Sequence, residues 1–274
     1  MSVVIEANGL AFQAETAGDQ TSPVLLLHGF PQDSTAWADV MRILADRGYG
    51  SVAPDLRGYS PGQQALPRSA YSVPTLVDDV VGILETYGRP LHVVGHDWGG
   101  SLLWSVRRLR PDLLASATIV SSPHPADLAW AATHSSQSLR SWYIGAIAIP
   151  GLPEMAIRAG LSGFLARTGL PAARADYYQA RMREPGVATA ALAWYRQMLI
   201  DTVRPPAAPA LPAVDSYPPT QYLWGTKDAF LGRAAAYRTR DRIKDIAFTE
   251  VDGGHWLPET HPDLIADHVI SIRS

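Results

Sequence analysis

Hydrophobic and polar residues follow two alternating patterns along the first 120 residues of the chain. Continuous apolar runs such as Val24–Leu27 and Ser51–Pro54 are typical of strands buried on both faces of a sheet. Between Ser34, a good helix N-cap, and Arg47, apolar side chains instead recur every three or four residues. Runs and helical stretches in alternation predict βαβ units, and therefore a mostly parallel, twisted sheet flanked by helices.

The same signals extend the prediction along the rest of the chain. Further strands are expected at Val3–Glu6, Leu10–Thr16, Leu91–Gly95, Ala117–Val120, Gln221–Trp224 and Ala247–Val251, and further helices at Val73–Tyr87, Gly99–Arg110 and Pro262–Ile272.

The helical rhythm is uninterrupted by strand signals from about Ala126 to Thr202. A proline-dense segment, Arg204 to Pro219, follows, and its prolines exclude regular helix and central strand. We therefore predict an α/β core in two parts, residues 1–125 and 220–274. The helical cap and its proline-rich connector, residues 126–219, are predicted to be inserted after the sixth strand.

Composition narrows the classes of function without naming one. The chain has 274 residues, of which 47% are hydrophobic, and a net charge of −3, which gives no electrostatic reason to expect nucleic acid as a partner. It has no cysteine, so thiolate chemistry and disulfides are excluded. The histidines lack metal-ligand spacing, and we expect no metal or cofactor. No signal peptide or membrane-spanning run is visible, so we expect a cytoplasmic protein without membrane insertion.

One short motif carries the strongest chemical signal. Gly95-His96-Asp97-Trp98-Gly99 stands between a predicted strand and a predicted helix. A G-x-S-x-G sequence in that position forms a nucleophile elbow, in which glycines permit a sharp turn that raises the central side chain above the sheet. Here the central residue is aspartate. We interpret Asp97 as a nucleophile, although an aspartate that only caps the following helix is the simpler structural alternative.

With this elbow, the sequence resembles the epoxide hydrolase and haloalkane dehalogenase branch of the α/β-hydrolase superfamily. The motifs that carry the resemblance follow the family's order and span nearly the whole chain: His28-Gly29-Phe30-Pro31, Asp55-Leu56-Arg57-Gly58-Tyr59, Gly95-His96-Asp97-Trp98-Gly99-Gly100, Trp224-Gly225-Thr226-Lys227-Asp228 and Gly253-Gly254-His255-Trp256.

The resemblance implies a catalytic triad whose residue types suit attack on a saturated carbon. The Asp97 carboxylate would form an ester with the substrate, and His255 would activate the water that hydrolyses it. Asp228 would orient the imidazole and stabilise its charged form. Some relatives place the acid after the preceding strand, but the segment there, Ser121-Ser122-Pro123, offers no carboxylate. The backbone amides of Phe30 and Trp98 would form the oxyanion hole.

The leaving group separates epoxide from halide chemistry. An epoxide oxygen needs a proton donor, and epoxide hydrolases of this family place two cap tyrosines over the nucleophile. The matching positions carry Tyr143, in Ser141-Trp142-Tyr143, and Tyr195, in Trp194-Tyr195-Arg196. Phe30 stands where one dehalogenase group has a halide-binding asparagine. These positions favour an epoxide hydrolase whose partners are a small-molecule apolar epoxide and water.

Several alternatives stay open at this stage. A haloalkane dehalogenase would use the same nucleophile and triad, and a non-hydrolytic ligand receptor would use the same fold. After Tyr143 the family pattern usually continues with Phe-Gln, whereas this chain has an aliphatic run, Ile144 to Pro150. That departure is compatible with a roomier pocket or with recruitment to a biosynthetic step. A homodimer is also possible in this family.

Overall fold

An eight-stranded sheet forms the centre of the molecule. The structure, a computed structural model, describes residues 1–207 and 209–273. The strands are β1 (Ser2–Ala7), β2 (Leu10–Ala17), β3 (Val24–Leu27), β4 (Ser51–Pro54), β5 (Leu91–His96), β6 (Leu114–Val120), β7 (Thr220–Gly225) and β8 (Ile246–Val251). Their spatial order is β1-β2-β4-β3-β5-β6-β7-β8. Strand β2 pairs antiparallel with β1 and β4, and the remaining pairs are parallel.

Helices pack against both faces of this sheet and over one end of it. They are α1 (Ala38–Asp46), α2 (Val73–Glu85), α3 (Trp98–Leu109), α4 (Pro125–His134), α5 (Gln137–Arg140), α6 (Trp142–Ile147), α7 (Leu152–Arg167), α8 (Ala172–Arg183), α9 (Val187–Val203), α10 (Arg233–Arg242), α11 (Leu257–Thr260) and α12 (Pro262–Arg273). The apolar faces of α1 and α12 pack with one set of strand side chains, and those of α2, α3 and α10 pack with the other set. The predicted α/β fold with a mostly parallel sheet is confirmed.

Among the described residues, six helices, α4 to α9, lie between β6 and β7, the region that the sequence assigns to a cap. Side chains of this region reach the loops after β3 and β4: Trp194 Nε1 donates to the Arg57 carbonyl at 3.0 Å, and Arg181 pairs with Asp33 at 3.2 Å. These loops follow the carboxyl ends of their strands, so the helices cover that end of the sheet. The described part of the segment 204–219 contains no helix or strand, and Ala208 lies outside the described residues.

Two local predictions need correction. The sequence pattern does not predict helix α10, because the segment is dominated by arginine and alanine. Its buried positions are the small residues Ala235, Ala236 and Thr239, which give no run of large apolar side chains at helical spacing. The N-cap was placed at Ser34, but the Asp33 side chain accepts from the Thr35 amide and caps a 3-10 turn that precedes α1. In the described residues, no helix is long and apolar enough to cross a membrane.

Candidate active site

Asp97 lies at a sharp turn where β5 passes into α3. Its backbone has φ 51° and ψ −115°, a conformation that residues other than glycine rarely adopt. The flanking glycines are required by close backbone contacts: a Cβ at Gly95 would lie 2.4 Å from the Gly99 carbonyl oxygen, and one at Gly99 would lie 2.3 Å from the Leu27 carbonyl oxygen. The strand, the glycines and the helix together hold the Asp97 carboxylate above the sheet, as the elbow motif predicts.

Two backbone amides face the Asp97 carboxylate. The Phe30 amide donates to Oδ1 at 2.9 Å, and the Trp98 amide lies near enough to the carboxylate to lower its pKa. Burial raises the pKa of Asp97, and nearby His255 and the two amides offset part of this effect. A Cβ at Gly29 would lie 2.4 Å from the Asp97 Cβ, so the loop after β3 can approach only because residue 29 is glycine. Both residues predicted for the oxyanion hole are in position to donate there.

The three residues predicted to form the triad are brought together from three different loops. His255 Nε2 is 3.7 Å from Asp97 Oδ2, and His255 Nδ1 is 2.8 Å from Asp228 Oδ2. The other carboxylate oxygen of Asp228 accepts from the amides of Phe230 and Leu231 at 2.8 and 2.9 Å. Asp228 is therefore fixed by its own loop, and it in turn fixes the imidazole of His255.

The charges around His255 favour its protonated form. Burial opposes that form, but the charge of Asp228, its hydrogen bond and the charge of Asp97 outweigh the opposition, so the pKa of His255 is raised from 6.5. The imidazole is thus a stronger base than usual while it keeps Nε2 directed toward Asp97. This combination suits a group that removes a proton from a water molecule beside the Asp97 carboxyl.

A cavity of about 480 Å³ separates these residues from the helical region. Asp97 and His255 line one part of it, and Tyr143 and Tyr195 from α6 and α9 line the same cavity. The two tyrosine rings are 6.2 Å apart, and Tyr195 also contacts the Phe30 ring at 5.4 Å. Burial and the charge of Asp97 raise the pKa of both tyrosines, so both are protonated donors at neutral pH.

Behind the histidine lies a polar network that sequence reasoning missed in part. His96 has Nε2 at 2.9 Å from the His255 carbonyl oxygen and Nδ1 at 2.7 Å from Gln32 Oε1. Gln32 Nε2 donates to both Glu259 oxygens at 2.9 Å, and the Tyr178 hydroxyl donates to Glu259 at 2.7 Å. The network links α8, the loop after β3 and the loop that carries His255.

Glu259 gives this network a measurable pH dependence. Burial raises its pKa from 4.5 to about 6, against the hydrogen bonds from Gln32 and Tyr178. The folded protein therefore binds a proton more tightly than the unfolded chain, and the free energy of unfolding falls as pH rises across this window, by about 2 kcal/mol.

Substitution of Glu259 by glutamine is expected to remove that fall. Chemical unfolding between pH 4 and 7 should show a flatter pH dependence for Glu259→Gln than for the parent. Glu6→Gln, at an exposed position of β1, is the control and should follow the parent. Parallel curves for Glu259→Gln and the parent would contradict the raised pKa.

Comparison with known proteins places this geometry in a family. Residues 22–262 match the family described as alpha/beta hydrolase fold. The chain belongs to this family. This alpha/beta hydrolase is 29% identical over 273 residues to AB hydrolase superfamily protein YfhM of Bacillus subtilis, a match that covers 95% of this chain and 93% of the relative. It is also 29% identical over 311 residues to Epoxide hydrolase A of Mycobacterium tuberculosis, with 94% and 92% covered.

Solved structures agree with the alpha/beta hydrolase fold. One, described among novel epoxide hydrolases of the superfamily from metagenomes of hot environments, superposes with a TM-score of 0.81 at 25% identity and covers 100% of this chain and 98% of the other. An epoxide hydrolase from Bacillus megaterium gives a TM-score of 0.83 at 22% identity, with 99% of each chain covered, and shows the shared fold. The resemblance inferred from the motifs of this alpha/beta hydrolase is confirmed.

Proposed function

We propose that the protein is an epoxide hydrolase that converts an apolar epoxide into a vicinal diol through a covalent ester on Asp97. The observation that carries the proposal is the arrangement around one cavity: a carboxylate at an elbow, a histidine beside it, and two tyrosine donors lining the same space. A carboxylate nucleophile suits a saturated carbon, and neutral phenols suit a leaving oxygen that must be protonated. The names of several relatives support the same activity.

In the first step of the proposed reaction, Asp97 Oδ2 attacks an epoxide carbon. Oδ1 is held by the Phe30 amide, so Oδ2, the oxygen nearer His255, is the free one. A carbon–oxygen bond forms, the ring carbon–oxygen bond breaks, and the ring oxygen takes a proton from Tyr143 or Tyr195. The products of this step are an alkyl ester on Asp97 and a tyrosinate close to the new hydroxyl group.

In the second step, His255 removes a proton from water, and the hydroxide attacks the Asp97 carboxyl carbon. Negative charge then develops on Oδ1, where the amides of Phe30 and Trp98 stabilise it. On collapse of this intermediate the ester carbon–oxygen bond breaks, and the leaving oxygen takes the hydroxyl proton of the intermediate, which releases the diol and the Asp97 carboxylate. The proton held by His255 passes to the tyrosinate. Asp228 stabilises the imidazolium through its hydrogen bond to Nδ1, from the time His255 takes the proton from water until it releases that proton.

Removal of the base should stop the reaction after the first step. We expect His255→Gln to gain the mass of a whole epoxide on incubation with an epoxide panel, as read by intact-protein mass spectrometry, with the adduct on Asp97. The double variant Asp97→Ala, His255→Gln is the control and should gain none. An alkyl adduct from haloalkanes alone would instead assign a dehalogenase, and no adduct from either class would contradict a covalent nucleophile.

A further inference from the structure

Few of the side chains that line the cavity are polar, and most are apolar. Its charged side chains, among the described residues, are Asp97 and His255, and its hydroxyl groups are those of the two tyrosines. The remainder of the wall is almost wholly apolar and comes mainly from α6, α7 and the segment between them. The side chains of this apolar wall include Ala146, Ile149, Leu152, Ala156, Ile157 and Leu161.

Helix α7 contributes one face to the apolar wall. Its lining residues recur at intervals of three or four, from Pro153 through Ile157 and Leu161 to Leu165. Twelve residues of regular helix extend about 18 Å, and the non-helical backbone of Gly160 (φ −144°, ψ 15°) interrupts this face once. The face is therefore longer than the reacting part of an epoxide requires.

The outer end of the wall reaches the surface. Trp142, Ile149 and Leu152 line the cavity and are still 64%, 52% and 59% exposed. Exposed apolar groups that continue a cavity wall mark a place where apolar ligand surface is covered. Small side chains on the same wall, Ala146 and Ala156, leave room beside them.

From this geometry we propose that the substrate is an epoxide with an extended, uncharged aliphatic tail, which lies along α7 and reaches the surface beside Trp142. The inference rests on the proposed function and adds the substrate class. The epoxide end would lie between Asp97 and the tyrosines. Ile157, at the middle of the α7 face, would then be the position that determines how long a tail is accepted.

A chain-length series of neutral terminal epoxides, from epoxybutane to epoxydodecane, tests the substrate class with the unmodified protein. Burial of each added methylene should raise kcat/KM about fourfold until the wall is covered. If no member of the series is hydrolysed, the proposed function fails together with the inference. If all members are hydrolysed at similar kcat/KM, the function stands and the tail site is refuted.

Substitution at Ile157 tests the location of the tail. Ile157→Trp should lower the preference for epoxydecane over epoxybutane at least tenfold, since the added ring occupies the space of several methylenes. Met155→Trp, on the exposed side of the same helix, is the control and should keep the parent series. Ile157→Phe makes the same test with a smaller group should the tryptophan variant not fold. An unchanged series in a folded Ile157 variant would place the tail elsewhere and overturn the proposal.

Discussion

Replacement of Asp97 by alanine is expected to abolish epoxide turnover, by a factor on the order of 10⁴ or more, while the protein remains folded. Alanine cannot form the ester, and no other carboxylate lines the cavity in the described part of the chain. Steady-state diol formation measures the loss. Asp78→Ala, at an exposed position of α2 next to the buried Asp79, is the matched control and should keep full activity. Retention of a tenth of the parent activity in Asp97→Ala would exclude Asp97 as the nucleophile.

The same variant carries a prediction for stability, with a sign opposite to that of most core substitutions. Burial raises the pKa of Asp97 above 3.8, so its ionised form is less stable in the folded protein than in the unfolded chain. That destabilisation appears as pH rises through the raised pKa and is absent below the ordinary value. We therefore expect Asp97→Ala to unfold at a temperature no lower than the parent at pH 7, with a smaller difference at pH 4. A clear loss of stability at pH 7 would contradict this account.

The core of the fold and the elbow were predictable because each depends on local signals. Buried strands such as Val24–Leu27 are recognisable as apolar runs, and they are fully buried in the structure. The requirement for glycine at positions 95 and 99 comes from the close approach of neighbouring backbone, which the motif already encodes. The resemblance to the family then predicts an acid in the loop after β7 and a base in the loop after β8.

Residues whose role depends on tertiary burial could not be predicted in the same way. Glu259 has no sequence feature that distinguishes it from a surface carboxylate at the start of a helix. Its raised pKa arises only when Gln32 and Tyr178 close over it from distant parts of the chain. Tyr143 and Tyr195 were identified through the resemblance to a family, since aromatic residues are frequent throughout this helical region and spacing alone does not select two of them.

Removal of the two tyrosine hydroxyl groups should separate epoxide opening from every other step. General acid catalysis contributes typically 10²- to 10⁴-fold. We expect Tyr143→Phe and Tyr195→Phe each to lower kcat/KM for an epoxide by about 10- to 100-fold, since the other donor remains, and the double variant to lower it by about 10³-fold. Stopped-flow alkylation of Asp97 measures the affected step directly. Tyr87→Phe, a half-buried tyrosine that does not line the cavity, is the control.

The pH dependence of the parent enzyme distinguishes these donors from the base. His255 must be neutral to accept a proton from water, so kcat should rise as pH rises through the pKa of His255, where the charge of Asp228 opposes the lowering by burial. The tyrosines must be protonated, and burial holds their pKa above 10, so kcat should not fall between neutral pH and pH 10 through loss of their protons. In the double phenylalanine variant alkylation of Asp97 should be slow at every pH, and because this step does not use the base, kcat should no longer show the His255 limb. If instead Tyr143→Phe, Tyr195→Phe and the double variant all alkylated Asp97 with epoxides at the parent rate, the ring oxygen would have another proton donor. The tyrosines would then serve only as part of the apolar wall.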